Sequence, residues 1–179
     1  PGWCVSVGVL DRDLIPRAGI IFAPRLDLLI VADTGEHARV NGSPLPRRDL
    51  TDAVSPRSNL MVTSRIHKVL DLSGYIGKIR SIGSAALHLC YPLIYGPVVG
   101  ALEGPGIHIW DMVAAHAVRL AEGDDLCYLG GDLINYGSMI DGTPGSDVVV
   151  AAHESVVPSL RAMLKRLPST RKGSAGKEG

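Results

Sequence analysis

The chain of 179 residues has no excess of charge of either sign, because 18 Lys and Arg stand against 18 Asp and Glu. Without a basic surplus there is little to neutralise a phosphate backbone or to hold an anionic membrane surface, so nucleic acid is not an expected partner. Cysteine is scarce as well. Cys4, Cys90 and Cys127 form no CxxC pair and are odd in number, which fits reduced thiols in a cytoplasm better than a disulfide framework. No apolar run approaches the ~20 residues of a bilayer crossing, and no basic-then-apolar leader opens the sequence. A soluble, cytoplasmic protein is expected, with no membrane partner. An initiator Met is missing too: Pro1-Gly2-Trp3-Cys4 runs straight into the strand-like Val5-Ser6-Val7-Gly8-Val9-Leu10. Either the start is processed or the chain is part of a longer polypeptide.

What is present is apolar patterning, with 46% hydrophobic residues, enough for one substantial core. Residues 3–10, 19–23 and 28–32 read as three successive strands of a meander, the first two split by the polar turn Asp11-Arg12-Asp13. Residues 35–46 form a loop at a sheet margin, with Asn41-Gly42 as a tight turn. A strand at 59–63 leads into a short helix at 65–72 capped by Ser64. After an extended stretch at 78–81, Gly83-Ser84 opens a buried helix at 85–89, which Pro92 keeps from continuing far. A strand at 97–102 follows, then an amphipathic helix at 112–122 with Asp111 as its N-cap. A buried strand at 147–152 and a final helix at 156–167 complete a single domain of residues 1–167. The Ser, Gly and Lys-rich remainder, 168–179, reads as a disordered tail. Strands and helices alternating after a strand-rich start predict an α/β fold, an α+β layered sandwich.

Two stretches carry chemistry. Trp110-Asp111-Met112-Val113-Ala114-Ala115 places a carboxylate at a helix start, where it suits a hard cation such as Mg²⁺ and where the helix adds positive potential toward a phosphate. Ile79-Arg80-Ser81-Ile82-Gly83-Ser84-Ala85-Ala86-Leu87-His88-Leu89-Cys90 is the second. These resemble W-D-x-A-A-G and I-R-S-x-G-S-A-A-L-x-L-C of the inositol monophosphatase family. Val5-Ser6-Val7, Gly19-Ile20-Ile21 with Pro24, Asn41-Gly42 and Val62-Thr63-Ser64-Arg65 are similar to further family segments, so the resemblance runs from Trp3 to about Leu167. It implies the family's fold, here its C-terminal region with part of the central sheet. It implies a Mg²⁺-dependent phosphatase acting on inositol monophosphate or a related sugar or polyol phosphate. Asp111 would be the metal ligand, with Gly83, Ser84, Ala85, Ser64 and Glu103 contacting the substrate. The chain departs from the signatures in two places. His116 follows Ala115 where the family has Gly, and Glu103 stands one residue farther from Asp111 than the family's substrate-contacting Glu.

The family's Glu-Glu loop and D-P-x-D-G-T motif lie before the point where this sequence starts. The alternative reading is therefore a catalytically silent fragment or degenerate homologue serving as a structural or small-molecule-binding subunit. Trp3, Val5, Val7 and Val9 share one strand face, so a homodimer, or association with the N-terminal segment, is expected to cover it. No nucleophile and base can be paired, so no catalytic side chain is assigned. His108, Asp111 and His116 lack the i, i+4 spacing of a helical zinc site. His37, His67, His88 and His153 read as surface or packing residues, and Ile140-Asp141-Gly142-Thr143 as a turn.

Overall fold

The computed structural model describes residues 2–46 and 54–168. Strands β1 (Val5–Leu10), β2 (Pro16–Ala23) and β3 (Leu28–Asp33) form the expected antiparallel meander. The two-residue strands β4 (Arg39–Val40) and β5 (Ser43–Pro44) extend it to five strands in chain order. Asp11 closes the first turn by accepting the N–H groups of Asp13 and Ile15, both at 2.9 Å. Asn41 and Gly42, with φ of 49° and 82°, make the mirror-image turn whose twist suits a two-residue hairpin. The Asn41 side chain also accepts from Leu29 N–H and donates to the Asp27 carbonyl, both at 2.7 Å, which pins the hairpin to the sheet.

The second sheet holds β6 (Asn59–Val62), β8 (Lys78–Arg80), β9 (Val98–Glu103), β10 (Cys127–Tyr128) and β11 (Val149–Ala152), in the order β10-β11-β9-β6-β8. Strand β6 runs parallel to β8 and β9, and the other pairs are antiparallel. Helices α1 (Ala85–Ile94) and α2 (Ile109–Ala121) fill the space between the two sheets, α2 on β1 to β3 and α1 on β9. Met61, Ala101, Val149 and Ala151 face this helical layer in one apolar cluster. Leu60, Val62, Leu102 and Val150 face the other way, into a second cluster shared with α3 (Val157–Met163). Burial on both faces explains why these strands read as unbroken apolar runs rather than alternating ones. The layered α/β sandwich is thus sheet, helices, sheet, helix.

On the first sheet, Ile21, Ile30 and Ala32 are buried beneath α2, whereas their neighbours are not. Val5 pairs with Phe22, Val7 with Ile20, and Ile20 with Val31, and every one of these side chains is exposed. With Trp3 and Val9 they make a continuous apolar outer face, ending on the free edge of β1.

Four local expectations are corrected. Residues 65–72 form no α-helix: a 3₁₀ turn at Ile66–Lys68 follows Arg65, not a Ser64 cap, and β7 (Leu70–Asp71) then pairs with β12 (Lys165–Arg166). That pairing also ends the last helix at Met163 instead of 167. Helix α1 passes through Pro92 to Ile94, because a Pro there removes one ladder bond in the final turn only. The N-cap of α2 is His108, which puts Asp111 in the third helical position. The Asp-Gly-Thr turn forms as read, with Asp141 Oδ1 accepting Thr143 N–H at 2.9 Å. Apart from Pro168, the expected disordered tail lies outside the described residues.

Arg119 of α2 is fully buried and was not singled out in the sequence. Its guanidinium donates to Asp124 Oδ2 at 2.8 Å, to the Leu89 carbonyl of α1 at 3.3 Å and to the Asp125 carbonyl at 3.1 Å. It thereby ties both helices to the loop after α2, with its charge paired as burial requires.

Candidate active site

Gly83 has φ of 82°, a left-handed conformation that glycine adopts without strain, and it turns the chain from β8 into α1. Ser84 is the N-cap of that helix, yet its Oγ makes no capping bond. It lies 3.3 Å from Cys4 Sγ instead, while Gly2 N–H donates to the Ile82 carbonyl at 3.0 Å. The lead into β1 is therefore laced to the loop that starts α1.

Asp111 approaches the same place from α2. Its Oδ2 accepts the backbone N–H of His108 at 3.1 Å, and among the described residues its other oxygen has no hydrogen-bond partner. His108 stacks on Trp110 with ring centroids 4.4 Å apart and planes 8° from parallel, which steadies the turn that presents Asp111. Two cavities adjoin here. One, of about 560 Å³, is lined by Ser64, Glu103 and the 104–107 loop; the other, of about 370 Å³, by Trp3, Cys4, Ser6 and Trp110. Gly83, Ser84, Ala85 and Asp111 line both. The structure thus gathers all six residues singled out in the sequence, Asp111, Gly83, Ser84, Ala85, Ser64 and Glu103, around one composite cleft.

Sequence reasoning missed His88. Read as a surface or packing residue, it is buried on the wall of the larger cavity. Its Nδ1 lies 2.5 Å from Glu103 Oε1, and its Nε2 accepts the Ile82 N–H at 2.9 Å. A backbone N–H can only donate, so the proton sits on Nδ1 and points at the Glu103 carboxylate. The buried Glu103 side chain is thereby oriented, and the loop before Gly83 is held by the same ring. Its position, one turn beyond Ser84 on an apolar helix, carries no sequence signal of this partnership.

His116 points away from Asp111. Its Nδ1 meets the Tyr136 hydroxyl at 2.9 Å and its Nε2 meets Asp125 Oδ1 at 2.6 Å. Burial pushes the Tyr136 phenol far above its usual range, so it stays protonated. Asp125 is held below the usual carboxylate range, despite partial burial, by its bond from His116. These contacts join α2 to the Tyr136 turn and to the loop at Asp125. Burial likewise pushes the Cys90 thiol up to about 12, which makes it an inert core residue. All three cysteines are free.

Among the described residues no group of three or more His, Cys, Asp or Glu side chains could hold a metal ion by itself. Asp111 fits one oxygen ligand of a hard cation, and the remaining ligands would have to come from elsewhere. No helix among the described residues is long and apolar enough to cross a membrane.

The sequence model of the Inositol monophosphatase family matches residues 1–172. Inositol monophosphatase 1 of Solanum lycopersicum is 30% identical over 100 residues, which are 51% of this chain and 36% of that protein. The inositol monophosphatase of Anabaena (Nostoc) sp. PCC 7120 superposes with a TM-score of 0.69 at 23% identity, over 89% of this chain and 65% of that one. Inositol monophosphatase II of Staphylococcus aureus MSSA476 superposes with a TM-score of 0.70 at 18% identity, over 88% and 58%. The chain thus spans less than two thirds of each of these relatives, and the structural likeness shows a shared fold.

Proposed function

Since the chain belongs to the inositol monophosphatase family, we propose that the protein it represents is a magnesium-dependent phosphomonoesterase acting on inositol monophosphate or a related sugar or polyol phosphate. The observation that carries this reading is the convergence of Asp111, the start of α1 at Gly83-Ser84-Ala85 and the oriented Glu103 on one cleft. The first N–H groups of α1 lack helical acceptors and suit a phosphate or hydroxyl oxygen. Glu103, an acceptor fixed by His88, suits the hydroxyls of a polyol. Asp111 would hold Mg²⁺ through its free oxygen, while the His108 N–H keeps the carboxylate aimed. Bound there, the ion supplies activation of water and stabilisation of the leaving oxygen. Its other carboxylate ligands would be those of the Glu-Glu loop and D-P-x-D-G-T. The protein is read as cytoplasmic, with a small phosphate ester as its partner.

Assayed with magnesium against inositol 1-phosphate and p-nitrophenyl phosphate, the full-length protein is expected to hydrolyse the former, and EDTA to abolish turnover. The 179-residue chain by itself is expected to show little activity, because one carboxylate cannot assemble a two-cation site. A full-length protein inactive in magnesium would overturn the enzyme reading in favour of a polyol-binding subunit.

The outer face of the first sheet is proposed to be covered, by a second copy or by the N-terminal segment. Left open, its apolar side chains and the free edge of β1 favour association. In light scattering over a concentration series, the chain of 179 residues should gain mass with concentration. Val7→Lys, which places a charge at the centre of the face, should return it toward the monomer. A chain that is monomeric without the substitution would remove this assignment.

A further inference from the structure

A separate cavity, of about 340 Å³, shares no lining residue with either part of the cleft. The loop after α2, the turn after β11 and helix α3 border it. Arg161 of α3 supplies its cation. The guanidinium lies against Gly131, where a Cβ would stand 3.3 Å from Nη2, and Nη2 donates to the Tyr128 carbonyl at 3.5 Å. Two carboxylates, Asp125 and Glu154, line the same cavity. Asp125 is fixed through one oxygen: Oδ1 meets His116 Nε2 at 2.6 Å and accepts the Leu126 N–H at 2.7 Å, while Oδ2 has no hydrogen-bond partner among the described residues. Glu154 is exposed, and neither it nor Arg161 makes an ion pair among the described residues. Neighbouring Asp124 is already paired with Arg119. Burial, against the pull of Arg161, pushes the Cys127 thiol up, which leaves it a neutral part of the wall.

Opposite charges that are free to move approach one another. Here Gly131 and the Tyr128 carbonyl hold the guanidinium, and His116 and the Leu126 N–H hold Asp125, so cation and carboxylates stay beyond ion-pair distance. A ligand with charges of both signs can bridge them through a charge-assisted bond at each end, at little ordering cost to the protein. The cavity is near the lower end of the ~300–1,000 Å³ of small-ligand sites, which suits a molecule of amino-acid size. Ala152, Val157 and Pro158 add an apolar wall for a hydrocarbon side chain. We propose that this cavity binds an α-amino acid with an apolar side chain, its carboxylate on Arg161 and its ammonium on Asp125 and Glu154. The site lies outside the cleft, so the proposal does not depend on the phosphomonoesterase reading.

Calorimetric titration of the full-length protein tests this with three probes of one carbon skeleton. They are L-leucine, 3-methylbutylamine, which lacks the carboxylate, and 4-methylpentanoate, which lacks the ammonium. L-Leucine should bind at least about tenfold tighter than either of the others, the gain of one charge-assisted contact set. Arg161→Gln should bring L-leucine down to the affinity of 3-methylbutylamine. Glu154→Gln should weaken L-leucine and the amine severalfold and leave 4-methylpentanoate unchanged. Both residues are exposed, so the fold should tolerate either change, and Arg57→Gln, at an exposed cation outside the cavity, should alter nothing. L-Leucine that fails to bind at millimolar concentration, binds no tighter than the single-charge probes, or keeps its full affinity in either cavity variant would overturn the proposal. So would displacement of L-leucine by inositol 1-phosphate in EDTA, which would seat it in the cleft instead.

Discussion

Asp111→Asn in the full-length protein is expected to lower magnesium-dependent turnover of inositol 1-phosphate by at least about a hundredfold, a loss typical of removing a charged group that meets the transition state. The fold should scarcely notice. Asn offers an oxygen of the same reach, so the bond from the His108 N–H, 3.1 Å in the native protein, can persist. What disappears is a negative charge in the first turn of α2, where an anion is worth about 0.3–1 kcal/mol against the helix dipole. For a domain of this size that corresponds to at most about 4 °C in Tm. Asp111→Ala separates the two roles, since it also strands the His108 N–H. It should therefore be less stable than the Asn variant while no more active. Wild-type rates and an unchanged magnesium requirement in the Asn variant would reduce Asp111 to a helix-end residue.

Much of the fold could be read from the sequence because its signals are local. Val5, Val7 and Val9 alternate with Ser6 and Gly8, and the period of two appears in β1, where the valines are exposed and the Gly8 backbone lies against Val113 and Ala114 of α2. Asn41-Gly42 has no residue type that would suit the turn better, and the hairpin forms around it. The failures are non-local. Residues 69–71 look helical only while β12 is out of view, since the pairing of Leu70 with Arg166 spans more than half of the domain. Pro92 signals a break, yet α1 is braced by β9 and α2, and such packing outweighs a single missing bond.

The cleft divides in the same way. Residues inside contiguous motifs, Asp111 and Gly83-Ser84-Ala85, could be named from their order, and Ser64 and Glu103 join them at one cavity. His88 and Cys4 could not, because each gains its meaning from a partner far away in sequence. His88 reaches Glu103 across 15 positions, and Cys4 meets Ser84 across 80. Isolated His and Cys residues on apolar segments are common, and only the folded chain distinguishes an oriented ring from a packed one.

The close approach of α2 to the first sheet gives the largest expected loss of stability. Gly8 and Gly19 are direct cross-strand partners, and α2 crosses over them. A Cβ on Gly19 would stand 2.3 Å from the Ala114 carbonyl oxygen and 2.8 Å from the Ala114 Cα. These are backbone atoms in the middle of a helix, so no rotamer change relieves the clash and α2 itself must move. Gly19→Ala should therefore cost about 3 kcal/mol, the upper part of the range for overpacking a dense interior. Asp111 lies one turn from Ala114, so the same displacement should also carry the carboxylate away from Gly83-Ser84-Ala85 and lower turnover in the full-length protein. Gly130→Ala is the control, because nothing lies within 4 Å of a Cβ there, and it should stay within about 0.5 kcal/mol of wild type. Urea denaturation of the three proteins checks this. A Gly19→Ala variant as stable as Gly130→Ala would mean that helix and sheet are not in contact at this pair, and that the register which sets Asp111 over the cleft has another origin.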